Sequence, residues 1–327
     1  MLPSSRVEGL EAIQFGLQAL FKWHSVLFRR RAFPTSAAKP RRFPSNRGPS
    51  GCLSIISVPS SRLLEWGAEP EMTTARSVIV TGSSSGIGAA TAEAFGRKGY
   101  RVVLGARRED RLANVVGSIE KAGGEAFAHR LDVSDTESID AFVEAATRKF
   151  GPPDVLINNA GLNRSALAAE ATDEDLREDV EVNLLGPMFL TRRVLPAMIE
   201  RRSGDVVFVG SDSAVRPRTY QGAYSAAKAG LEIFSRVVDM ETEGTGVRSM
   251  LIRVGPTGSE FGSQMPQDKL PEILESWKYW GALRHLHWMP ADAVAAAIVR
   301  AVEVPVDELY QTVVEVQPGG RSRDFEE

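Results

Sequence analysis

One stretch limits the possible folds of this chain more than any other. A short β-branched run, Ser77-Val78-Ile79-Val80, passes directly into Thr81-Gly82-Ser83-Ser84-Ser85-Gly86-Ile87-Gly88 and then into a helical stretch, Ala89 to Lys98. The first run reads as a buried strand. A strand, a glycine-rich turn and a helix start in that order make an anion site, because backbone N–H groups and the helix dipole face one point. The glycines allow a tight turn and a close approach of backbone to a pyrophosphate. Their spacing is Gly-x-x-x-Gly-x-Gly, not Gly-x-Gly-x-x-Gly. In this context the turn points to nucleotide binding.

The β–α alternation continues from there. A second strand, Arg101-Val102-Val103-Leu104, leads into Gly105-Ala106-Arg107-Arg108. At this point an NAD site offers an acidic residue to the ribose 2′-hydroxyl. Here Ala106 takes that place and Arg107 follows, and a guanidinium without a competing carboxylate suits a 2′-phosphate. NADP(H) is therefore expected over NAD(H). A helix over about 108–122 ends at Gly123-Gly124, and a third strand runs through Leu131 to Asp132-Val133. Asp132 is placed either to accept from an adenine amino group or to cap the helix starting near Ser134. A fourth strand, Asp154 to Ile157, ends in Asn158-Asn159-Ala160-Gly161, where amide side chains can lock strand ends. Thr172-Asp173-Glu174-Asp175 resembles a capping box opening one long helix to about Glu200. A fifth strand spans Asp205 to Gly210, a sixth Val247 to Val254 before Gly255, and a last one Thr312 to Val316. This pattern predicts an α/β fold: one doubly wound parallel sheet of about seven strands, a Rossmann fold with its site at the strands' C-terminal ends.

Tyr224-Ser225-Ala226-Ala227-Lys228 lies on the helix after the fifth strand, with Ser211 at that strand's end. A Tyr and a Lys four apart share one helix face. A nearby ammonium favours the phenolate of a group whose ordinary pKa is about 10, which predicts proton transfer closer to neutral pH. Asn183 is a polar residue on an apolar helical stripe, so it is either a satisfied core amide or the holder of a water.

Composition excludes several alternatives. A net charge of −3 gives no reason to expect nucleic acid or an anionic membrane as partner. With one cysteine, Cys52, neither an intrachain disulfide nor a thiolate metal cluster is possible. His285 and His287 lack an acidic or cysteine companion at ligand spacing, so no metal site is expected. No apolar run nears the roughly 18 residues a membrane span needs. Residues 1–71 differ from the rest. They are net basic, rich in Arg, Ser and Pro, and free of acidic residues between Glu11 and Glu65. We read them as an extension preceding a natural start at Met72, with an organellar transit peptide as the alternative. Residues 72–327 then form the single domain, and the expected location is cytoplasmic, or an organelle in the transit-peptide case. Residues 261–290 carry Trp277, Tyr279, Trp280 and Trp288 without a clear period, and are expected to form a lid over a substrate cleft.

Taken together, these motifs resemble the short-chain dehydrogenase/reductases, over about residues 77–320. The resemblance rests on Thr81 to Gly88, Asn158-Asn159-Ala160-Gly161, Asn183, the trio Ser211, Tyr224 and Lys228, and Gly255. It implies that Tyr224 is the general acid in carbonyl reduction and the base in alcohol oxidation. Lys228 would bind the nicotinamide ribose and lower the pKa of Tyr224, Ser211 would polarise the substrate oxygen, and Asn183 would keep a water in the relay. Gly82, Ser84, Ser85, Gly86, Ile87 and Gly88 would hold the pyrophosphate, Arg107 the 2′-phosphate, Asp132 and Val133 the adenine, Asn159 the ribose and Gly255 the nicotinamide. Two positions depart from the family. Val254 precedes Gly255 where Pro is usual, and Ser85 stands where many NADP-dependent members have a basic residue. The implied activity interconverts a carbonyl and a secondary alcohol of a small, hydrophobic molecule. The implied assembly is a homotetramer or homodimer packed through the helices bearing Asn183 and Tyr224. The alternatives are a 3-oxoacyl-thioester reductase, with Arg192, Arg193, Arg201 and Arg202 as its basic patch, and a non-catalytic NADP(H)-binding sensor.

Overall fold

Seven strands, each hydrogen-bonded in parallel to its neighbours, form the centre of the molecule. The structure is a computed structural model that describes residues 75–261, 265–283, 287–305 and 310–319. The expected extension over 1–71, and His285 of the histidine pair, lie outside the described residues. In chain order the elements are β1 (Ser77–Thr81), α1 (Gly86–Arg97), β2 (Arg101–Ala106), α2 (Glu109–Lys121), β3 (Glu125–Arg130), α3 (Thr136–Phe150) and β4 (Val155–Asn158). They continue with α4 (Asp173–Val180), α5 (Gly186–Arg201), β5 (Gly204–Ser211), α6 (Gly222–Thr242), β6 (Val247–Val254), α7 (Leu270–Tyr279), α8 (Ala291–Glu303) and β7 (Val313–Val316).

The strand order is β3-β2-β1-β4-β5-β6-β7, with the direction of winding reversed between β1 and β4. A crevice opens there at the C-terminal strand ends. The central strands are buried on both faces, as β1, β4 and β5 show at every residue, so they read as apolar runs instead of alternating ones. Alternate side chains still serve opposite faces. Val78 and Val80 join one core cluster with Phe95 of α1 and Ile298 of α8, while Ile79 joins the other with Phe142 of α3 and Leu231 of α6. Among the described residues, no helix is long and apolar enough to cross a membrane.

Two expectations about elements need correction. The single helix expected from Thr172 to about Glu200 is divided by a π-helical turn at Glu181–Leu185. Its start is as expected: Thr172 and Asp175 form a reciprocal capping box. The widening has a local cause at Asn183. The Asn183 Nδ2 donates to Asp179 O at 2.8 Å, and Asp179 O is the carbonyl an α-helix would give to the backbone N–H of Asn183. The second correction concerns residues 261–290, which had no visible period but contain α7. Trp277 is buried there, whereas Tyr279 and Trp280 are 81% and 70% exposed.

Candidate active site

The crevice between β1 and β4 opens into a cleft of about 450 Å³. It is lined by most of the residues that the sequence singles out: the glycine turn, Arg107, Asp132, Val133, Asn159, Ser211, Tyr224, Lys228 and Gly255. Asn183 lies outside this lining.

The turn is shaped by two glycines. Gly82 has φ +66, and a Cβ there would stand 2.8 Å from Ala160 Cα. A Cβ on Gly88 would lie 2.4 Å from Gly82 O. The backbone is therefore folded tightly on itself, leaving no room for side chains inside the turn. Asn159 locks this end of the sheet: its Nδ2 donates to Thr81 O at 2.8 Å, and its N–H donates to Thr81 Oγ1 at 3.0 Å.

Arg107 is exposed at the end of β2 and lines the cleft beside Arg108. Sequence reading passed over Arg108, yet its guanidinium reaches the glycine turn. Nη2 donates to Ser84 Oγ at 2.9 Å and to Ser85 Oγ at 2.7 Å. A positive charge thus stands beside Ser85, a position of the glycine turn that has no basic side chain of its own. Glu260, in the loop after β6, bonds to Arg108 and Arg111 at 2.9 and 2.5 Å. Hydrogen bonds from Arg108 and then Arg111 push its carboxyl down to about 2. The double arginine was visible in the sequence, but its link to Glu260, 152 residues away, left no local signal.

Asp132 does not cap α3. Asp135 does so, accepting from Glu137 N. Asp132 Oδ1 instead accepts from Ser134 N and Ser134 Oγ at 3.1 and 2.6 Å. Burial opposes its ionised form, but the Ser134 bonds with Arg107 and Arg130 hold its carboxyl below the usual range.

Ser211 ends β5, and Tyr224 and Lys228 occupy the buried first turns of α6. Ser211 Oγ accepts from Ser213 Oγ at 2.9 Å and from Ser213 N at 3.2 Å. The Lys228 Nζ lies 5.7 Å from the Tyr224 ring centroid and donates to Val209 O at 3.0 Å. An ammonium has three donors, so two remain. Burial pushes Lys228 down to about 8. It pushes Tyr224 up to about 12, with the Ser211 hydrogen bond and the Arg218 charge pulling the other way. The sequence reading expected a lowered tyrosine pKa. Desolvation of the phenolate outweighs the Ser211 bond and the Arg218 charge, so the net direction is upward.

Asn183 is a satisfied core amide. Nδ2 also donates to Leu162 O at 2.7 Å, and Oδ1 accepts from Leu162 N at 3.3 Å. Its side chain ties the loop after β4 to the π-turn. Gly255 donates its N–H to Val316 O at 2.9 Å, and a Cβ there would meet Gln317 Oε1.

Leu162, Phe261, Met265, Trp277 and Trp288 give the cleft an apolar and aromatic part of its wall. Asp212 and Arg218 line it too, and neither was singled out from sequence. Asp212 directly follows Ser211, which could have drawn notice, whereas Arg218 carried no pattern at all. Arg192, Arg193, Arg201 and Arg202 do not line the cleft. Arg193 is paired with Asp140, and Arg201 and Arg202 donate to Pro153 O and Gly244 O. Among the described residues no group of three His, Cys, Asp or Glu is arranged to hold a metal ion.

Comparison with known proteins fits this geometry. A family model described as short chain dehydrogenase matches residues 76–270. A short chain dehydrogenase of Pseudocercospora fijiensis is 38% identical over 235 residues, covering 68% of this chain and 75% of that protein. A 3-oxoacyl-[acyl-carrier-protein] reductase of Synechocystis is 31% identical, covering 67% of this chain and 92% of its own length. The solved structure of an actinorhodin polyketide ketoreductase with NADPH superposes with a TM-score of 0.68 at 28% identity, covering 74% of this chain and 96% of that one.

Proposed function

The chain belongs to the short-chain dehydrogenases and is an oxidoreductase, and from that premise we propose that it uses NADP(H) to interconvert a carbonyl and a secondary alcohol. The observation that carries this reading is the convergence of Ser211, Tyr224 and Lys228 with the glycine turn on one cleft. The residues present fit the cofactor. The turn from Gly82 to Gly88 leaves no room for a Cβ at Gly82 or Gly88 and can offer backbone N–H groups to a pyrophosphate. Arg107 is exposed at the end of β2 where a 2′-phosphate would need it, without an acidic residue at Ala106, and Arg108 stands beside it on the glycine turn, paired with Glu260. The cofactor of the ketoreductase neighbour, NADPH, agrees with that preference. Asp132 and Val133, which line the same cleft, would flank the adenine, and Asn159 and Gly255 would complete the wall toward the ribose and nicotinamide.

When bound, the nicotinamide supplies or accepts the hydride. The protein's own residues move the proton and hold the oxygen. Tyr224 donates its hydroxyl proton to the carbonyl oxygen in reduction and takes one back in oxidation. Ser211 fixes that oxygen by a second hydrogen bond. Lys228, anchored on Val209 O, would offer its two remaining donors to the nicotinamide ribose. Asn183 acts indirectly: its side chain holds the loop at Leu162 and the π-turn in place, which fixes the backbone around the relay. Apolar and aromatic walls suit a hydrophobic carbonyl compound. The similarity to a 3-oxoacyl-thioester reductase places thioesters among the substrates to be tried, while the four helix arginines do not face the cleft.

The test is NADPH oxidation over ketones, aldehydes and 3-oxoacyl esters. Turnover on hydrophobic carbonyls that far exceeds turnover with NADH supports the reading. NADPH binding without turnover on any of them favours the sensor.

A further inference from the structure

The loop after β6 lies against the glycine turn and against Tyr224 at the same time. Ser259 covers the turn, where a Cβ added to Gly86 would stand 3.2 Å from the Ser259 Cβ. The Phe261 ring centroid is 5.2 Å from that of Tyr224. Between them, Glu260 reaches across to the start of α2. Its Oε2 accepts from Arg108 Nη1 at 2.9 Å, and its Oε1 from Arg111 Nη1 at 2.5 Å. Arg108 holds the turn with the rest of its fork, Nε donating to Ser84 Oγ at 3.1 Å and Nη2 to Ser84 and Ser85. Arg108, Ser259, Glu260 and Phe261 all line the cleft, whereas Arg111 does not.

This ion pair is placed to exchange partners. The Arg108 and Arg111 side chains are 42% exposed and that of Glu260 is 52% exposed, and pairs that stay in water hold weakly. A phosphate offers a guanidinium more charge and more acceptor oxygens than a carboxylate does. Arg108 is two residues beyond Ala106, the position that decides between a ribose 2′-hydroxyl and a 2′-phosphate. An anion that draws Arg108 away does not strand Glu260, because Arg111 keeps hold of the other oxygen. A cofactor with a bare 2′-hydroxyl brings no such anion and leaves Glu260 on Arg108.

We propose that Glu260 is a specificity-determining residue for the cofactor: its carboxylate competes with the 2′-phosphate of NADP(H) for Arg108, so the preference over NAD(H) depends on how firmly the β6 loop holds that arginine. Binding of NADP(H) frees the loop from Arg108, and binding of NAD(H) leaves it tied. The inference rests on the proposed use of NADP(H).

The test is binding of NADPH and NADH to the full chain, read by fluorescence titration at one fixed ionic strength, because salt screens exposed pairs. Glu260→Gln keeps the shape of the side chain and removes its charge. NADPH affinity is expected to rise by about three- to five-fold, and NADH affinity to stay within about two-fold. In an Arg108→Met background the same substitution is expected to shift both cofactors alike, because the contested guanidinium is gone. Equal gains for NADPH and NADH without the Arg108 change would mean a general relief of negative charge, and would overturn the inference. So would an NADPH gain that survives in Arg108→Met, or no gain at all. The cofactor reading fails separately, and the inference with it, if the unaltered protein binds NADH as tightly as NADPH.

Discussion

Tyr224 at about 12 and Lys228 at about 8 give the relay a defined state at neutral pH: the phenol keeps its proton and the amine its charge. A phenol that keeps its proton is set to donate it, so under the proposed function carbonyl reduction is expected to run at neutral pH. Alcohol oxidation needs the phenolate and gains as pH rises toward the tyrosine's value. At the other end of the cleft, Arg107 can be tested in isolation. Arg107→Asp replaces the guanidinium beside Ala106 with a carboxylate that repels a 2′-phosphate and can accept from a ribose 2′-hydroxyl. We expect NADPH affinity, measured by fluorescence titration, to fall by ten-fold or more while NADH affinity holds or improves. The identities of Ser211, Tyr224, Lys228 and Arg107 were legible in the sequence because spacing along one helix or one strand end places them. Their energetics were not. The position of Tyr224 in a desolvated pocket, and the approach of Arg108 to Ser84 and Ser85, depend on residues far apart in the chain.

Among the elements, the glycine turn does the most with the fewest atoms. Gly88→Ala would drive a methyl group into Gly82 O, and opening the turn to admit it displaces the N–H groups that line the cleft. We expect NADPH affinity to drop by at least ten-fold, with a smaller loss in thermal stability, read by titration and by melting the same samples. The central strands could be read from sequence because burial on both faces of a parallel sheet demands apolar, β-branched runs, whereas the half-buried edge strand β3, Glu125–Arg130, follows from the β–α alternation. The π-turn could not, because it arises when the Asn183 amide takes the carbonyl of Asp179 while also bridging to Leu162, 21 residues back. α7 escaped notice for a related reason. Its aromatic residues divide between a buried Trp277 and an exposed Tyr279 next to Trp280, which blurs any helical period.

The molecule as a whole has an apolar stripe left uncovered. Ile233 and Met240 on α6 are 59% and 76% exposed, with Val237 between them. A stripe of this kind on the helix that carries Tyr224 suits the proposed packing of subunits through α6. Met240→Arg is expected to lower the oligomeric state in analytical ultracentrifugation while leaving NADPH binding intact. An unchanged sedimentation coefficient would rule out this face. The parallel architecture and the location of the cleft followed from the order of motifs. The uncovered stripe did not, since its residues match those of any buried helix face until the rest of the chain is in place. The central claim is that this cleft transfers a proton through Tyr224 as the cofactor exchanges a hydride. Its most direct test compares wild type with Tyr224→Phe, measuring NADPH binding and carbonyl-dependent NADPH oxidation on the same preparations. The account predicts unchanged binding and a fall in turnover of about a hundred-fold or more; a variant that binds NADPH and still reduces its substrate at near the wild-type rate would contradict it.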